Sequence, residues 1–455
     1  MVEPAARAPA ARVGPAPVQA TLAAVAVSVA GVLPAFLVGA LAVQIRADLG
    51  VGLALFGVAA ATLFGVSGAC ARPAGRLVQR LGARRGTALA AVLAMASLGT
   101  IALAPSAPWL MAGLAVGGLG NAVAQPSANL GISEFVTDRR LGVAFGIKQS
   151  SVPAATLLGG LAVPAVALAS GWRWAVALAV GLAALLLVVT LARGRDTRGA
   201  GPAGAGEAAD RGLPRGGLVV LTLGGFLGSA AATPTGVFLV DSAVAAGIAP
   251  ARAGLLSAGC SVLGLVSRIG LGWLADRHPD RSRYLAIAAL LTAGAVAHGL
   301  LATGARPAFV AGALLAYGLG WAWTGLFHFA VIRDNRTAAA SVTGFVQTGL
   351  SLGAASGPLL FGVVAQTWSY AVAWTTTAML GLAAGLTVRA GRRMVRTSRG
   401  LPVAGRRGRT PGGATIPPPT HLARDHPAPG PGAATTRETP HEHLPVPRPG
   451  PPSGP

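Results

Sequence analysis

One lysine stands inside an apolar stretch of this chain, and its position suggests ligand chemistry. Lys148 is the only lysine among 455 residues, and Gln149, Ser150 and Ser151 follow it directly. An amine about seven residues inside an apolar segment is costly to bury, so it usually faces a water-filled cavity or a ligand. The alternative is that Lys148 extends its side chain along roughly 10 Å of helix to the aqueous edge of the segment.

Three amides upstream of the lysine share one helix face. Asn121, Gln125 and Asn129 recur at i, i+4 and i+8, which superimposes their side chains along the helix. Amides in this arrangement could line a substrate path, or they could bond to neighbouring helices. The spacing favours neither interpretation.

A second stripe combines aromatic rings with a hydroxyl and an imidazole. Tyr317, Trp321, Thr324 and His328 recur at i, i+4, i+7 and i+11, again on one face. Such a face suits a small polar ligand in an apolar cleft. The alternative is core packing, which is the commoner use of aromatic stripes.

The acidic residues are placed outside the apolar segments. All fourteen fall at segment ends, in connections or in tails, with Glu134 and Asp241 nearest to an apolar segment. A buried cation without a buried anion favours an anionic ligand, while His298 and His328 could exchange protons near neutral pH. The sequence shows no Cys/His spacing for a metal, no phosphate-binding lysine loop and no nucleophile elbow. We therefore predict no metal, no cofactor and no enzyme activity.

The composition indicates that a bilayer surrounds these residues. Hydrophobic residues make up 53% of the chain and the mean hydropathy is +0.62. Charged residues make up 11%, whereas soluble domains carry roughly 25%. The net charge of +22 comes from scattered arginines without a basic face of interleaved aromatics, so no nucleic-acid partner is expected.

Twelve apolar runs are long enough to cross roughly 30 Å of hydrocarbon as helices. They lie at 20–44, 52–72, 86–104, 108–132, 142–169, 172–192, 217–241, 252–275, 284–303, 308–332, 339–366 and 370–390. These runs lack the alternating polarity of barrel strands. The sequence therefore predicts an all-α polytopic membrane protein with twelve transmembrane helices in two pseudo-symmetric six-helix bundles.

Composition also divides the chain into five parts. They are a cytoplasmic N-terminal segment (1–19), a first six-helix bundle (20–192), a cytoplasmic linker (193–216), a second six-helix bundle (217–390) and a disordered Pro-rich tail (391–455). Most connecting arginines flank the termini and the even-numbered connections, whereas the opposite side has only Arg46, Arg173, Arg252 and Arg306. The positive-inside rule therefore predicts that both termini are cytoplasmic.

The two predicted bundles share internal similarity. Gly75–Arg80 aligns with Gly272–Arg277 at a shift of 197, Gly118–Gly120 with Gly318–Gly320 at 200, and Gly146 and Gln149 with Gly344 and Gln347 at 198. Near-constant shifts indicate duplication of a six-helix unit. Gln347, which shares a helix face with Thr343 and Ser351, thus mirrors Gln149 at the interface between the repeats, where proteins built in this way bind substrate.

The connections after the second and eighth predicted helices carry a related motif. Residues 75–85 read GRLVQRLGARR and residues 272–281 read GWLADRHPDR. Both resemble the loop signature G-x-x-x-D-R-x-G-R-R of the major facilitator superfamily. The matching positions are Gly75, Gln79, Arg80, Gly272, Asp276 and Arg277.

The resemblance implies a latch at these helix ends. Gln79 stands where the family has an aspartate, so the latch should be weaker on the first half than at Asp276. The alternative is that both loops only supply topogenic positive charge.

The resemblance also implies a secondary transporter that works by alternating access, and the GIKQSS stretch is similar to the fifth helix of bacterial cyanate and organic-anion permeases. Our first hypothesis is therefore a carrier for a small organic anion. Its candidate substrate-binding residues are Lys148, Gln149, Asn121, Gln125, Tyr317, Trp321, His328 and Gln347. Its expected partners are the small-molecule substrate and membrane lipid, and we expect a monomer in the bacterial inner membrane.

Two other hypotheses stay open. Pro153 followed by Gly159 and Gly160 resembles the family's antiporter signature G-P-x-x-G-G imperfectly, which would suit proton-coupled efflux of drugs or metabolites. Small residues at a helix–helix contact explain the same pattern. The third hypothesis is a membrane sensor or scaffold without transport, in which the Pro-rich tail recruits a partner.

Overall fold

The computed structural model describes residues 15–133, 141–192, 215–278, 282–334 and 339–398. Within these ranges the chain forms helices and no strand, and twelve helices are long and apolar enough to cross a membrane. The predicted helix number and the all-α membrane fold are therefore confirmed. The predicted linker, apart from residues 215 and 216, and the predicted tail from residue 399 lie outside the described residues, as does Glu134.

We number the twelve helices α1 to α12. The first six are Pro15–Ala40 (α1), Ala54–Leu81 (α2), Ala83–Ala102 (α3), Ala107–Ser133 (α4), the consecutive segments Leu141–Gln149, Ser151–Ala162, Val163–Ala167 and Leu168–Ser170 (α5), and Trp172–Ala192 (α6). The second six are Arg215–Ala245 (α7), Pro250–Arg277 (α8), Arg283–Ala302 (α9), the segments Arg306–Leu315, Ala316–Gly320 and Trp323–Asp334 (α10), Ala339–Thr367 (α11) and Tyr370–Ser398 (α12). Val163–Ala167 and Ala316–Gly320 are π-helical turns, and a short helix at Ala42–Leu49 follows α1.

The predicted end of the second helix is wrong because polar residues continue the helix beyond the apolar run. α2 runs to Leu81 rather than residue 72, whereas α8 ends at Arg277, within a few residues of the predicted end at residue 275. The signature residues therefore lie in the last turns of these helices and not in loops. Gly82, with a φ of 83°, alone separates α2 from α3, and it adopts the left-handed backbone that side chains disfavour. α12 likewise continues through residues 391–398, which the sequence assigned to the tail.

Two names describe the ends of the bundle. The terminal face is the end at which α1 begins and α12 ends, and it includes Gly82 and His278. The distal face is the opposite end, at the turns around Gly50, Gly171 and Gly247. The assignment of the terminal face to the cytoplasm stays a prediction.

The two six-helix halves meet along pairs of helices related by the internal repeat. α2 packs against α11, α5 packs against α8, and α1 packs against α7. Glycines let these backbones approach closely. A Cβ on Gly160 of α5 would lie 2.7 Å from the carbonyl oxygen of Gly254 in α8, and a Cβ on Gly254 would lie 2.6 Å from that of Gly160. Helix contact thus accounts for Gly160, which the antiporter hypothesis had also used.

We predict that Gly254→Leu destabilises the protein and that Gly259→Leu on the same helix does not. The added side chain at residue 254 meets backbone, whereas nothing lies within 4 Å of a Cβ at Gly259. Overpacking of this kind costs about 1–3 kcal/mol. Unfolding in detergent micelles, followed by tryptophan fluorescence, measures the difference in the free energy of unfolding. Equal stability of the two variants would contradict close contact of the halves at this crossing.

Candidate functional site

The buried lysine begins a chain of hydrogen bonds through the first half. Lys148 is 5% exposed, and its Nζ donates to Oε1 of Gln125 at 2.8 Å. Nε2 of Gln125 donates to Oδ1 of Asn121 at 3.1 Å, and Nδ2 of Asn121 donates to Oγ of Ser67 at 2.9 Å. Two of the three predicted amides thus connect α5, α4 and α2. Asn129 is exposed and does not join this chain.

The residue after the lysine connects the first half to the second. Nε2 of Gln149 lies 3.2 Å from Nδ1 of His328, and Nε2 of His328 lies 3.0 Å from Oε1 of Gln347. Nδ1 of His328 also lies 2.9 Å from the carbonyl oxygen of Thr324. The tautomer of the imidazole decides whether Nδ1 accepts from Gln149 or donates to Thr324. Nε2 of Gln347 then donates to Oγ of Ser351 at 3.4 Å. The bonds therefore link α5 to α10 and α11.

A break in α5 gives this region a free main-chain acceptor. In a continuous helix the carbonyl of Gln149 would accept a bond from the N–H of residue 153, but Pro153 has none. The helix accordingly divides at Ser150. The freed carbonyl oxygen accepts from Nη1 of Arg268 at 2.7 Å. An arginine on α8 thereby donates the hydrogen bond that Pro153 on α5 cannot donate.

The same arginine also binds α10 beside its π-helical turn. Nη2 and Nε of Arg268 donate to the carbonyl oxygen of Trp321 at 2.9 and 3.3 Å. The guanidinium also lies 5.5 Å from the centre of the Trp321 ring. Arg268 is 3% exposed, so it is a second cation buried between the halves.

Sequence reasoning missed Arg268. The signal was present, because this residue lies nine positions before the end of the apolar helix Pro250–Arg277. Most other arginines of the chain lie in the terminal segments or in the connections between predicted helices, where they predict only its orientation. Like Lys148, an arginine that deep in an apolar run is costly to bury and is therefore a candidate for a cavity or a ligand site.

The aromatic residues of α10 pack around this region. The rings of Tyr317 and Trp321 lie edge to face at 5.4 Å, and Trp321 meets Phe36 of α1 at 5.8 Å. Both α10 residues are buried, at 1% and 6% exposure. The structure thus brings all eight predicted binding residues into one region between the halves. We call these residues, together with Arg268, the central region. Their part in substrate binding stays a prediction, and the Thr343 side chain lies outside the described part.

Acidic residues do not compensate the two buried cations within the described part of the chain. That part contains Asp48, Asp241, Asp276 and Asp334. None of the four forms an ion pair with Lys148 or Arg268. The central region therefore holds two cations and neutral hydrogen-bonding groups.

One expectation about acidic residues is wrong. Asp241 is 3% exposed and lies inside α7, so the fold does contain a buried carboxylate. It pairs with Nη1 of Arg46 at 3.2 Å, and the hydroxyl of Tyr370 donates to it. The sequence could not show this, because the two partners are 195 positions apart. This anion is neutralised at the distal face and does not reach the central region.

Contacts between the halves occur at both faces. At the distal face, the Arg46–Asp241 pair links the two halves. A second bond there runs from the N–H of Ala54 to Oε1 of Gln366, at 2.8 Å. At the terminal face, Oδ2 of Asp276 accepts from the N–H of Val143 at 3.0 Å. The central region is therefore enclosed between two sets of contacts.

The two copies of the signature differ in these contacts. Asp276 meets the first turn of α5, where a carboxylate interacts favourably with the helix dipole. Arg277 stacks 3.8 Å from the centre of the Trp273 ring. Gln79 and Arg80 are exposed, as the first copy would be if it latched less strongly. The latch itself stays a prediction.

A separate ion pair stabilises the distal turns. The guanidinium of Arg173, at the start of α6, donates to Asp48, and the indole Nε1 of Trp172 donates to the same oxygen at 3.1 Å. The Arg173 bond, more than the Trp172 bond, holds the pKa of Asp48 below its usual value. This pair lies outside the central region.

Comparisons with known proteins agree with this architecture. The family model described as the Major Facilitator Superfamily matches residues 23–342. A bacterial homolog to the human lysosomal transporter Spinster, in its inward-facing and unoccupied conformation, is similar at a TM-score of 0.66 and 13% identity, over 84% of this chain and 98% of that one. The human organic anion transporter MFSD10 (TETRAN) is similar at 0.59 and 17%, over 82% of this chain and 100% of that one. A search of curated protein sequences finds no significant match.

We predict that Arg46 and Asp241 are energetically coupled. Arg46→Gln leaves a buried carboxylate without its cation and should cost about 3 kcal/mol of unfolding free energy. Asp241→Asn should cost less, because the side chain of Arg46 is 38% exposed. A double-mutant cycle measured by chemical unfolding in micelles should give a coupling energy of about 1 kcal/mol or more. Additive effects of the two substitutions would contradict the pairing.

Proposed function

The chain belongs to the Major Facilitator Superfamily, whose model covers residues 23–342, and we propose that this secondary transporter carries a small organic anion. Family and fold identify a multi-pass membrane transporter. The charge of the substrate is the part that we infer from the central region.

The observation that supports the proposal is the environment of Lys148. Its ammonium is buried, bonds to the neutral amide of Gln125, and has no carboxylate partner within the described residues. A buried charge without an opposite charge loses its hydration and gains little in return. A bound anion would supply the missing charge. Asn121, Gln149 and Gln347 would add hydrogen bonds to its polar atoms.

The placement of the region suits alternating access. The hydrogen-bonded residues come from α2, α4 and α5 of one half and from α8, α10 and α11 of the other. Opening the distal face would break the Arg46–Asp241 pair, and opening the terminal face would break the bond from Val143 to Asp276. Rocking of the halves would then expose the same region to either side.

One structural neighbour agrees with the proposed substrate class. MFSD10 is described as a human organic anion transporter, and at 17% identity that likeness shows the fold alone. The argument for an anion therefore depends on the residues of this chain.

Proton-coupled efflux is the less supported hypothesis. Exchange of a proton for a cationic drug usually uses a membrane carboxylate that is free to bind either one. Asp241 is buried, but its carboxylate already pairs with Arg46 and accepts a hydrogen bond from Tyr370. We also propose, from the arginine distribution, that both termini are cytoplasmic. The monomeric state and the bacterial inner membrane stay predictions.

Substitution of Lys148 tests the proposal. In proteoliposomes offered a panel of labelled short-chain mono- and dicarboxylates, Lys148→Ala should reduce uptake of the transported anion by about tenfold or more, because it removes a charge-assisted hydrogen bond. Lys148→Arg should retain part of the uptake. Arg252→Ala removes an exposed arginine at the start of α8 and should behave as wild type. Undiminished uptake by Lys148→Ala would refute the anion site.

A further inference from the structure

We propose that the preferred substrate is a dianion, such as a short dicarboxylate, and that Arg268 binds its second negative charge. This inference rests on the proposed transport of an anion through the region of Lys148. It adds a specificity-determining residue on the opposite half and narrows the substrate class.

The bonds of Arg268 leave its charge uncompensated. Three bonds reach two main-chain carbonyl oxygens, those of Gln149 and Trp321. Carbonyl oxygens carry only partial charges, and a guanidinium has five N–H donors. No carboxylate pairs with Arg268 in the described part of the chain, and the side chain is 3% exposed. Burial of such a cation is costly, and a bound anion would lower that cost.

The two buried cations border the same break in α5. Arg268 binds the carbonyl of the residue that directly follows Lys148. Lys148 belongs to the first half and Arg268 to the second, so a ligand with two carboxylates could contact one cation from each half. Its negative charges would equal the number of uncompensated positive charges. A monoanion would leave one cation unpaired.

The carbonyl bonds of Arg268 are suited to exchange. A carboxylate binds a guanidinium through charge-assisted bonds that are roughly twice as strong as bonds to a neutral acceptor. A substrate carboxylate can therefore replace the carbonyl of Gln149, which Pro153 leaves without a helical partner. If Arg268 were only a clamp between the halves, removal of its charge would leave the preference between ligands of different charge unchanged.

Matched ligands of equal size test the inference. We would measure binding to the purified full chain by isothermal titration at about pH 7.5, where both carboxylates are ionised. The probes are malonate, succinate and glutarate, each compared with its half-amide, which has the same shape and one charge fewer. Wild type should bind the best dicarboxylate about tenfold or more tightly than its half-amide, a difference of about 1.4 kcal/mol.

Variants identify the residue responsible. Arg268→Gln should bring the ratio of the two dissociation constants close to one while the half-amide still binds, and Arg268→Lys should keep the preference. Arg252→Gln removes an exposed arginine of the same helix and should keep the wild-type ratio. A preference that survives in Arg268→Gln would overturn the role of Arg268.

The wild-type comparison needs no variant, so it stays decisive if Arg268→Gln does not fold. Equal binding of each dicarboxylate and its half-amide would overturn the inference and leave the anion function intact. The same holds if only monocarboxylates bind. If no anion of either kind binds or is transported, the proposed function fails as well.

Discussion

A positive charge inside an apolar bundle must be balanced, and most features of this protein's centre follow from that requirement. Lys148 and Arg268 lie between the halves with neutral partners only, within the described residues. Amides and main-chain carbonyls can orient these cations but cannot neutralise them. The chain supplies such acceptors by breaking α5 before Pro153 and by irregular backbone at Trp321. The balancing charge is left for the substrate.

The same requirement is met differently at the distal face. There the buried carboxylate of Asp241 has its own cation, Arg46, and a hydroxyl from Tyr370. A site in which the opposite charges are paired holds two elements together, whereas an unpaired charge attracts a ligand. Close helix crossings, such as that of Gly160 with Gly254, keep the halves in contact around the unpaired cations. Movement of the halves is therefore expected to be a change between discrete packings.

Much of this arrangement could be predicted from the sequence. Hydropathy and length predicted twelve helices, and a single lysine in an apolar run led to the central region. The rest depended on tertiary contacts. Hydropathy places Arg268 within α8, but it does not show that this side chain faces the other half, or that Asp241 is buried against Arg46, 195 positions away. The second helix also extends beyond its apolar run. The first copy of the signature, with Gln79, therefore lies inside α2 and not in a loop.

The most direct test of a charge-balanced centre is a thermal-shift comparison of three ligand classes on the wild-type protein. Small carboxylates, their neutral amides and the corresponding amines are similar in size and differ in charge. A ligand at one hundred times its dissociation constant stabilises the folded state by about 2.7 kcal/mol. The account predicts that one or more carboxylates raise the unfolding temperature and that the amides and amines do not. Stabilisation by amines or amides, with none by any carboxylate, would contradict it.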